Sequence, residues 1–228
     1  GRLAGAAILV VDIDPERVKK RKEIGFLDEA ATSLDDALAM IERAVSQKRA
    51  ISVGLVGNAA EIYPAIAARG ITPDIVSDQT SAHDLVYGYV PNGMTLEQAR
   101  SLREDGQGQL MAASRASIVT HVRAMLEFQK KGAEVFDNGN LIRTQAFQGG
   151  VQDAFDIPIF TLMYRKDILE KHKIAVPTTY EDFLTAARQI SEAEKGNGIF
   201  GTGLQAKSGH YSLECDWSQA VWGHGGSI

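Results

Sequence analysis

The sequence predicts an α/β fold built on a parallel sheet with flanking helices, and three observations carry that prediction. Short apolar runs alternate with helical stretches: strand near 7–12, helix 34–48, strand 51–56, helix 59–69, strand 74–77 and strand 133–137. Two loops rich in glycine, amides and small residues, Gly54-Leu-Val-Gly-Asn-Ala-Ala60 and Ser77-Asp-Gln-Thr-Ser-Ala-His83, accompany two of those runs. In parallel sheets such loops lie beyond the carboxyl ends of the strands, where they offer N–H groups and amides to phosphates and riboses. No repeat or low-complexity segment interrupts the alternation.

Taken in order, Gly1-Arg-Leu-Ala-Gly-Ala-Ala7 reads as the end of a helix, and Ile8-Leu-Val-Val11 as a buried strand closed by Asp12. An acid there accepts ribose hydroxyls or caps the next helix. Arg17 alone is an ordinary solvated helix charge. No Gly-rich strand-to-helix turn precedes Asp12, so that turn and its strand are expected before residue 1. Asn58 and Ser81 each cap a helix or face a ligand, and His83 alone is packed or capped as readily as it is a ligand. A long loop runs to Gly93, Thr95 caps a helix with Gln98 at its third position, and a helix near 109–130 points Met111, Val119, Val122, Met125 and Phe128 inward. The Asn138-Gly139-Asn140 turn after Asp137 is expected to face the same crevice.

In the last third, Thr178 or Thr179 caps a helix with Asp182 in its first turn, and Phe183, Leu184, Ala187 and Ile190 form an apolar stripe that Gly196-Asn-Gly198 ends. Trp217 and Trp222 either stack on a sugar ring or, at helical spacing the commoner case, pack in a core. His210 and His224 lack metal-ligand spacing, and one cysteine, Cys215, excludes a zinc ribbon; no metal is expected.

Composition bounds the function. With 228 residues, 44% hydrophobic and 23% charged, the chain can bury one or two cores. A net charge of −5, with Lys and Arg interspersed among Asp and Glu, argues against nucleic acid as a partner. The lone cysteine permits no internal disulfide, and with no signal peptide or apolar span in view the expected location is cytoplasmic, with no membrane partner.

The strings GLVGNAAEIYP, PDIVSDQTSAHD and GYVPNG, with AGAAILVVDIDPERVKKR, GFLDEAATSLDDAL, VFDNGN and GGVQDAFDIP, together resemble urocanase (urocanate hydratase) over roughly residues 1–158. The resemblance implies a Rossmann-like domain holding NAD+. It assigns to the dinucleotide Asp12, Arg17, Asn58, Ala59, Gln79, Thr80, Ser81, Ala82, His83, Tyr89 and Val90, with Asn138 standing where better-known members carry a tyrosine (FDYGNN against Phe136-Asp-Asn-Gly-Asn-Leu141). His83-Asp-Leu-Val-Tyr-Gly88 also departs from a more usual proline, leucine and asparagine after the aspartate. The family's catalytic cysteine belongs to a later region and Cys215 lies outside the matching segment, so no catalytic residue carries over.

From about 159 to 228 the chain instead resembles extracellular solute-binding proteins of sugar ABC transporters, through Leu162–Glu170, Ile174–Phe183, Gly198–Gln205 and Asp216–Ser227. Two domains, 1–158 and 159–228, then meet at Ile157-Pro-Ile-Phe160 as a chimera, the second a periplasmic-binding-protein-like α/β fragment that follows the sheet or extends it. Three functions follow as expectations. The first is the NAD-binding core of a urocanate hydratase, with negligible hydratase activity and weak NAD affinity in this chain. The second is a sugar-binding module, and the third a scaffold without activity. Homo-oligomers are also expected, since urocanases resemble homodimers as a family.

Overall fold

The computed structural model describes residues 2–159, 165–177 and 179–201, with only the backbone of Leu3 and Tyr180. The chain divides after Thr161 into two compact units.

The first unit is α/β with parallel strands. β1 (Ala7–Asp12), β2 (Glu29–Ala31) and β3 (Ile51–Val56) form a sheet in the order β1-β3-β2, while β4 (Ile75–Asp78) and β5 (Glu134–Asp137) form a second. In the first sheet Ala7 lies opposite Ile51 and Asp12 opposite Val56; in the second Ile75 lies opposite Glu134 and Asp78 opposite Asp137. Strand pairing thus levels the carboxyl ends in each sheet. The expected buried run Ile8–Val11 is only half-buried, because among the described residues β1 pairs on one side alone, whereas β3 between two neighbours is buried from Ile51 to Leu55.

Local chemistry fixes the helices. The Asp14 carboxylate accepts the Glu16 N–H ahead of α1 (Pro15–Glu23), with Pro15 preset for the first turn. Ser33 caps α2 (Leu34–Ser46), and Thr95 with Gln98 closes a reciprocal capping box on α4 (Leu96–Asp105). α3 (Ala59–Ala68) packs on β1 and α5 (Gln107–Lys130) on β5, while α6 (Ile142–Gln148) lies against α5. The opening residues, expected as a helix end, form a 3-10 turn, Arg2–Ala4, closed by Gly5 at φ +92°.

α5 supplies the centre of the main core. Leu110, Ile118, Val122, Met125 and Phe128 are buried, against Val76, Val135, Ile142 and Ile157. Met111, expected inward, is 38% exposed, because the buried face runs through Leu110, Ser114 and Ile118 and Met111 is rotated from it by about 100°. Leu9 and Ile62 pack against both this core and the one formed by Ala37, Ile51, Val53 and Leu55.

In the second unit α7 (Lys166–His172) and α8 (Tyr180–Ala193) pack through Ile168, Leu169 and Ile190. Thr179, not Thr178, is the cap, and Asp182 completes its box. Ala187 and Ile190 are buried; Phe183 and Leu184 are half-buried. A 3-10 turn, Lys195–Asn197, and Gly198 at φ +68° end the helix region. Its described residues are helical or irregular, and His210, Cys215, Trp217, Trp222 and His224 lie outside them. None of the described helices is long and apolar enough to cross a membrane.

The Glu194 carboxylate is almost removed from solvent and takes donors from Lys171 Nζ (2.6 Å), Asn197 Nδ2 (2.6 Å) and His172 Nε2 (2.5 Å). Lys171, then Asn197 and His172, hold its pKa down to about 2. A carboxylate depressed in the folded state stabilises above its unfolded pKa and loses that contribution as pH falls through the folded value. Acid unfolding of the second unit, followed by circular dichroism between pH 5 and 2, is therefore expected to flatten in Glu194→Gln; an unchanged acid limb would contradict this.

Candidate functional site

The carboxyl ends of β1 and β3 meet where the Gly57 N–H donates to the Asp12 carbonyl (3.0 Å). Asp12 ends β1 with one carboxylate oxygen accepting the Asp14 N–H (3.0 Å) and the other paired to Arg21, so it is held by the helix it precedes. Arg17, largely exposed on α1, reaches back to Asp14 at 3.8 Å, and no hydrogen bond or ion pair among the described residues joins it to the other candidates. Asn58 caps α3 through Oδ1, which accepts the Ala60 N–H (2.9 Å), and ties the loop after β4 to that helix through Nδ2, which donates to the Val90 carbonyl (2.9 Å). Ala59 begins α3. Of the two roles open to Asn58, capping is the one these hydrogen bonds show.

Beyond β4 and β5 lie two buried carboxylates. Asp78 Oδ2 accepts from the Thr80 N–H (3.2 Å), the Thr80 hydroxyl (2.8 Å) and the Asn140 amide; Oδ1 lies 3.7 Å from His121 Nε2. Asp137 Oδ1 accepts the Gly139 N–H (2.6 Å), and Oδ2 pairs with Arg143 Nε at 2.5 Å. Arg143 also donates to the Ile157 carbonyl (2.9 Å), binding residues 155–157 to this end of the sheet. Gly139 stands at φ +78°, a left-handed turn that glycine takes without steric cost.

His121 is fully buried beneath Asp78, edge-on to Tyr63 at 4.8 Å between ring centroids, with Nδ1 3.4 Å from the Tyr89 hydroxyl. Tyr63 donates to the Ser77 carbonyl (3.2 Å). Burial pulls the His121 pKa below its usual value, against the raising field of Asp78, so the ring is neutral. Burial, then the Asp78 charge, raises both tyrosines, which stay phenols. Ser77 Oγ and His121 Nε2 are buried without a hydrogen-bond partner among the described residues, as are Asp137 Oδ2 and Arg143 Nε, whose contact is an ion pair without hydrogen-bond alignment.

The structure therefore links Asp12, Asn58 and Val90 on one side, and Thr80 with the 138–140 turn on the other. Gln79, Ser81, His83 and Asn138 are exposed at these ends. Ala82 and Tyr89 are buried and serve the core. Ser81 caps no helix, since turns follow it; its carbonyl accepts the Asp84 N–H (3.1 Å), and Asp84 takes the Val86 and Tyr87 N–H groups (2.9 Å each). Sequence reasoning missed His121, Tyr63 and Arg143: each sits within an apolar or helical pattern and shows its partners only in three dimensions. Among the described residues no group of His, Cys, Asp and Glu could hold a metal.

Residues 1–164 match the urocanase Rossmann-like domain, a match that includes β1 and both buried carboxylates. The chain belongs to the urocanase family. The match covers Asp12, Asn58, the 79–83 loop and Asn138, and it continues beyond residue 158, where the sequence suggested a change of family.

His121 supplies a prediction about pH. Its folded pKa lies below the unfolded value of about 6.5, so between the two the unfolded chain binds the extra proton and stability falls as pH falls. Urea midpoints measured at pH 7.5 and 5.5 are expected to differ less in His121→Gln than in the parent; an equal difference would contradict a neutral buried ring.

Proposed function

We propose that the first unit is the NAD-binding core of a urocanate hydratase and that the dinucleotide lies along the carboxyl ends of β1, β3, β4 and β5. The observation that carries this reading is the exposed polar set Gln79, Ser81, His83 and Asn138 at strand ends that Asp12 and Asn58 flank, within a family-matched domain. The residues fit the cofactor in donor chemistry. An ionised carboxylate has about four acceptor positions, and Asp12 spends its two strongest contacts on Arg21 and the Asp14 N–H, leaving capacity for ribose hydroxyls. Arg21 thus orients Asp12 without exhausting it. Amides, a hydroxyl and an imidazole suit phosphate and ribose oxygens, whereas Asn138 supplies no aromatic face.

When bound, NAD+ would act as an electrophile toward the imidazole of urocanate, in place of carrying hydride. The described residues of this chain bind and orient it. Cys215, the single thiol, lies beyond the matched residues, and we assign no catalytic residue. A cytoplasmic location accompanies this reading. Trp217 and Trp222, on which a sugar site in residues 159–228 would depend, lie outside the described residues, so the proposal rests on the first unit.

Isothermal titration of NAD+ into the folded chain is expected to show weak saturable binding, about tenfold weaker in Asp12→Ala, with no urocanate turnover by either protein. Folded protein that binds no NAD+ would overturn the reading, and measurable turnover would overturn the expectation of inactivity.

A further inference from the structure

The loop after β4 and the turn after β5 are separated by about sixty residues of chain, yet one side chain joins them. Asn140 Nδ2 donates both to Asp78 Oδ2 and to the Thr80 carbonyl (2.7 Å), while its Oδ1 accepts the Ile142 N–H (3.1 Å) at the start of α6. All three capacities of the amide that face protein are spent on holding backbone or a buried charge. Asn140 is also followed by Leu141 at φ +66°, a left-handed conformation that is costly for a leucine, and Leu141 is 51% exposed, so packing does not compensate it. The turn holds that shape because Asn140 fixes it on one side and Asp137, through the Gly139 N–H, on the other. Asp78 Oδ2 also accepts the Thr80 N–H and hydroxyl, which hold Thr80 to its own strand end, and its second oxygen faces His121 at 3.7 Å, beyond hydrogen-bond range; neither contact reaches the 138–141 turn, as Asn140 does.

We propose that Asn140, a residue to which the family resemblance assigns no role, is a positioning residue: it couples loop 79–83 to turn 138–141, so that dinucleotide affinity depends on it. The proposal rests on the NAD-binding reading above. Asn140 acts through Thr80 and Asp78, whose neighbours Gln79, Ser81 and His83 stand exposed where the ligand would lie. Freed from Asn140, the Thr80 carbonyl loses its partner and the 79–83 loop gains conformations that must be given up again on binding, which lowers affinity without removing a ligand contact.

The test uses the full chain, NAD+ as probe and two readouts. In Asn140→Ala, amide hydrogen exchange at residues 79–83 is expected to accelerate and NAD+ affinity to fall about tenfold. Ala44→Gly, a truncation in the last turns of α2 within the other core, controls for general destabilisation and is expected to leave affinity unchanged while the protein remains folded. Asn140→Asp keeps the acceptor for the Ile142 N–H but sets a second carboxylate against Asp78, and is expected to weaken binding further; adding Asp78→Asn restores a donor–acceptor pair with roles exchanged and is expected to recover part of the affinity. Unchanged exchange at 79–83 in Asn140→Ala would overturn the coupling whether or not NAD+ binds. Unchanged affinity in that variant, or no recovery in the exchanged pair, would overturn its role in binding. Absence of NAD+ binding by the parent chain would remove the reading on which the affinity claim rests, and the exchange readout would still decide the coupling.

Discussion

Two carboxylates removed from water, Asp78 and Asp137, impose the constraint from which the shape of the β4 and β5 strand ends follows. A buried carboxylate without donors is costly by several kcal/mol, so each must gather N–H and O–H groups from whatever lies within reach. Strand pairing sets Asp78 opposite Asp137 at the ends of β4 and β5, and the reachable donors belong to the loops that leave those strands. Thr80 and Asn140 fold over Asp78; Gly139 and Arg143 close on Asp137. The loop shapes are the solution to a charge problem, and the exposed residues of those loops are placed as a consequence.

The other sheet solves a packing problem. Gly54 lies within β3 because a Cβ there would meet Leu27 Cδ1 at 2.6 Å and Val18 Cγ1 at 3.0 Å, so its absence lets α1 and the segment before β2 close onto the strand. That closure brings Arg21 of α1 to Asp12 and fixes the acid at the end of β1. Ile62 of α3 packs against both cores, and Tyr63 beside it reaches the Ser77 carbonyl of β4, so one helix ties the two sheets together. Rigidity at the strand ends is thus inherited from the core beneath them.

What the sequence disclosed depended on how local the cause was. The Thr95–Gln98 box, the Asn58 cap and the later part of the buried face of α5, at Val122, Met125 and Phe128, are set by residues a few positions apart, and they were legible. The break between β1-β3-β2 and β4-β5 was not, because edge pairing depends on which strands meet in space. The resemblance assigns Arg17 to the dinucleotide; the ion pair of Arg21, one turn further along α1, with Asp12 was not legible, since reach depends on side-chain direction as well as spacing. His121 falls at a core position of a helical stripe and reads as packing; only the approach of Asp78, Tyr63 and Tyr89 from three other segments gives it an electrostatic role.

The central claim is that these strand ends form one dinucleotide-binding edge. Backbone amide chemical shifts of the labelled chain, recorded by NMR across a titration with NAD+, address it residue by residue. Shifts that saturate together at 12–14, 57–60, 79–83 and 138–140, with the opposite ends of the strands silent, are the predicted result. Saturable shifts confined to other surfaces, or none in a well-dispersed spectrum, would contradict it.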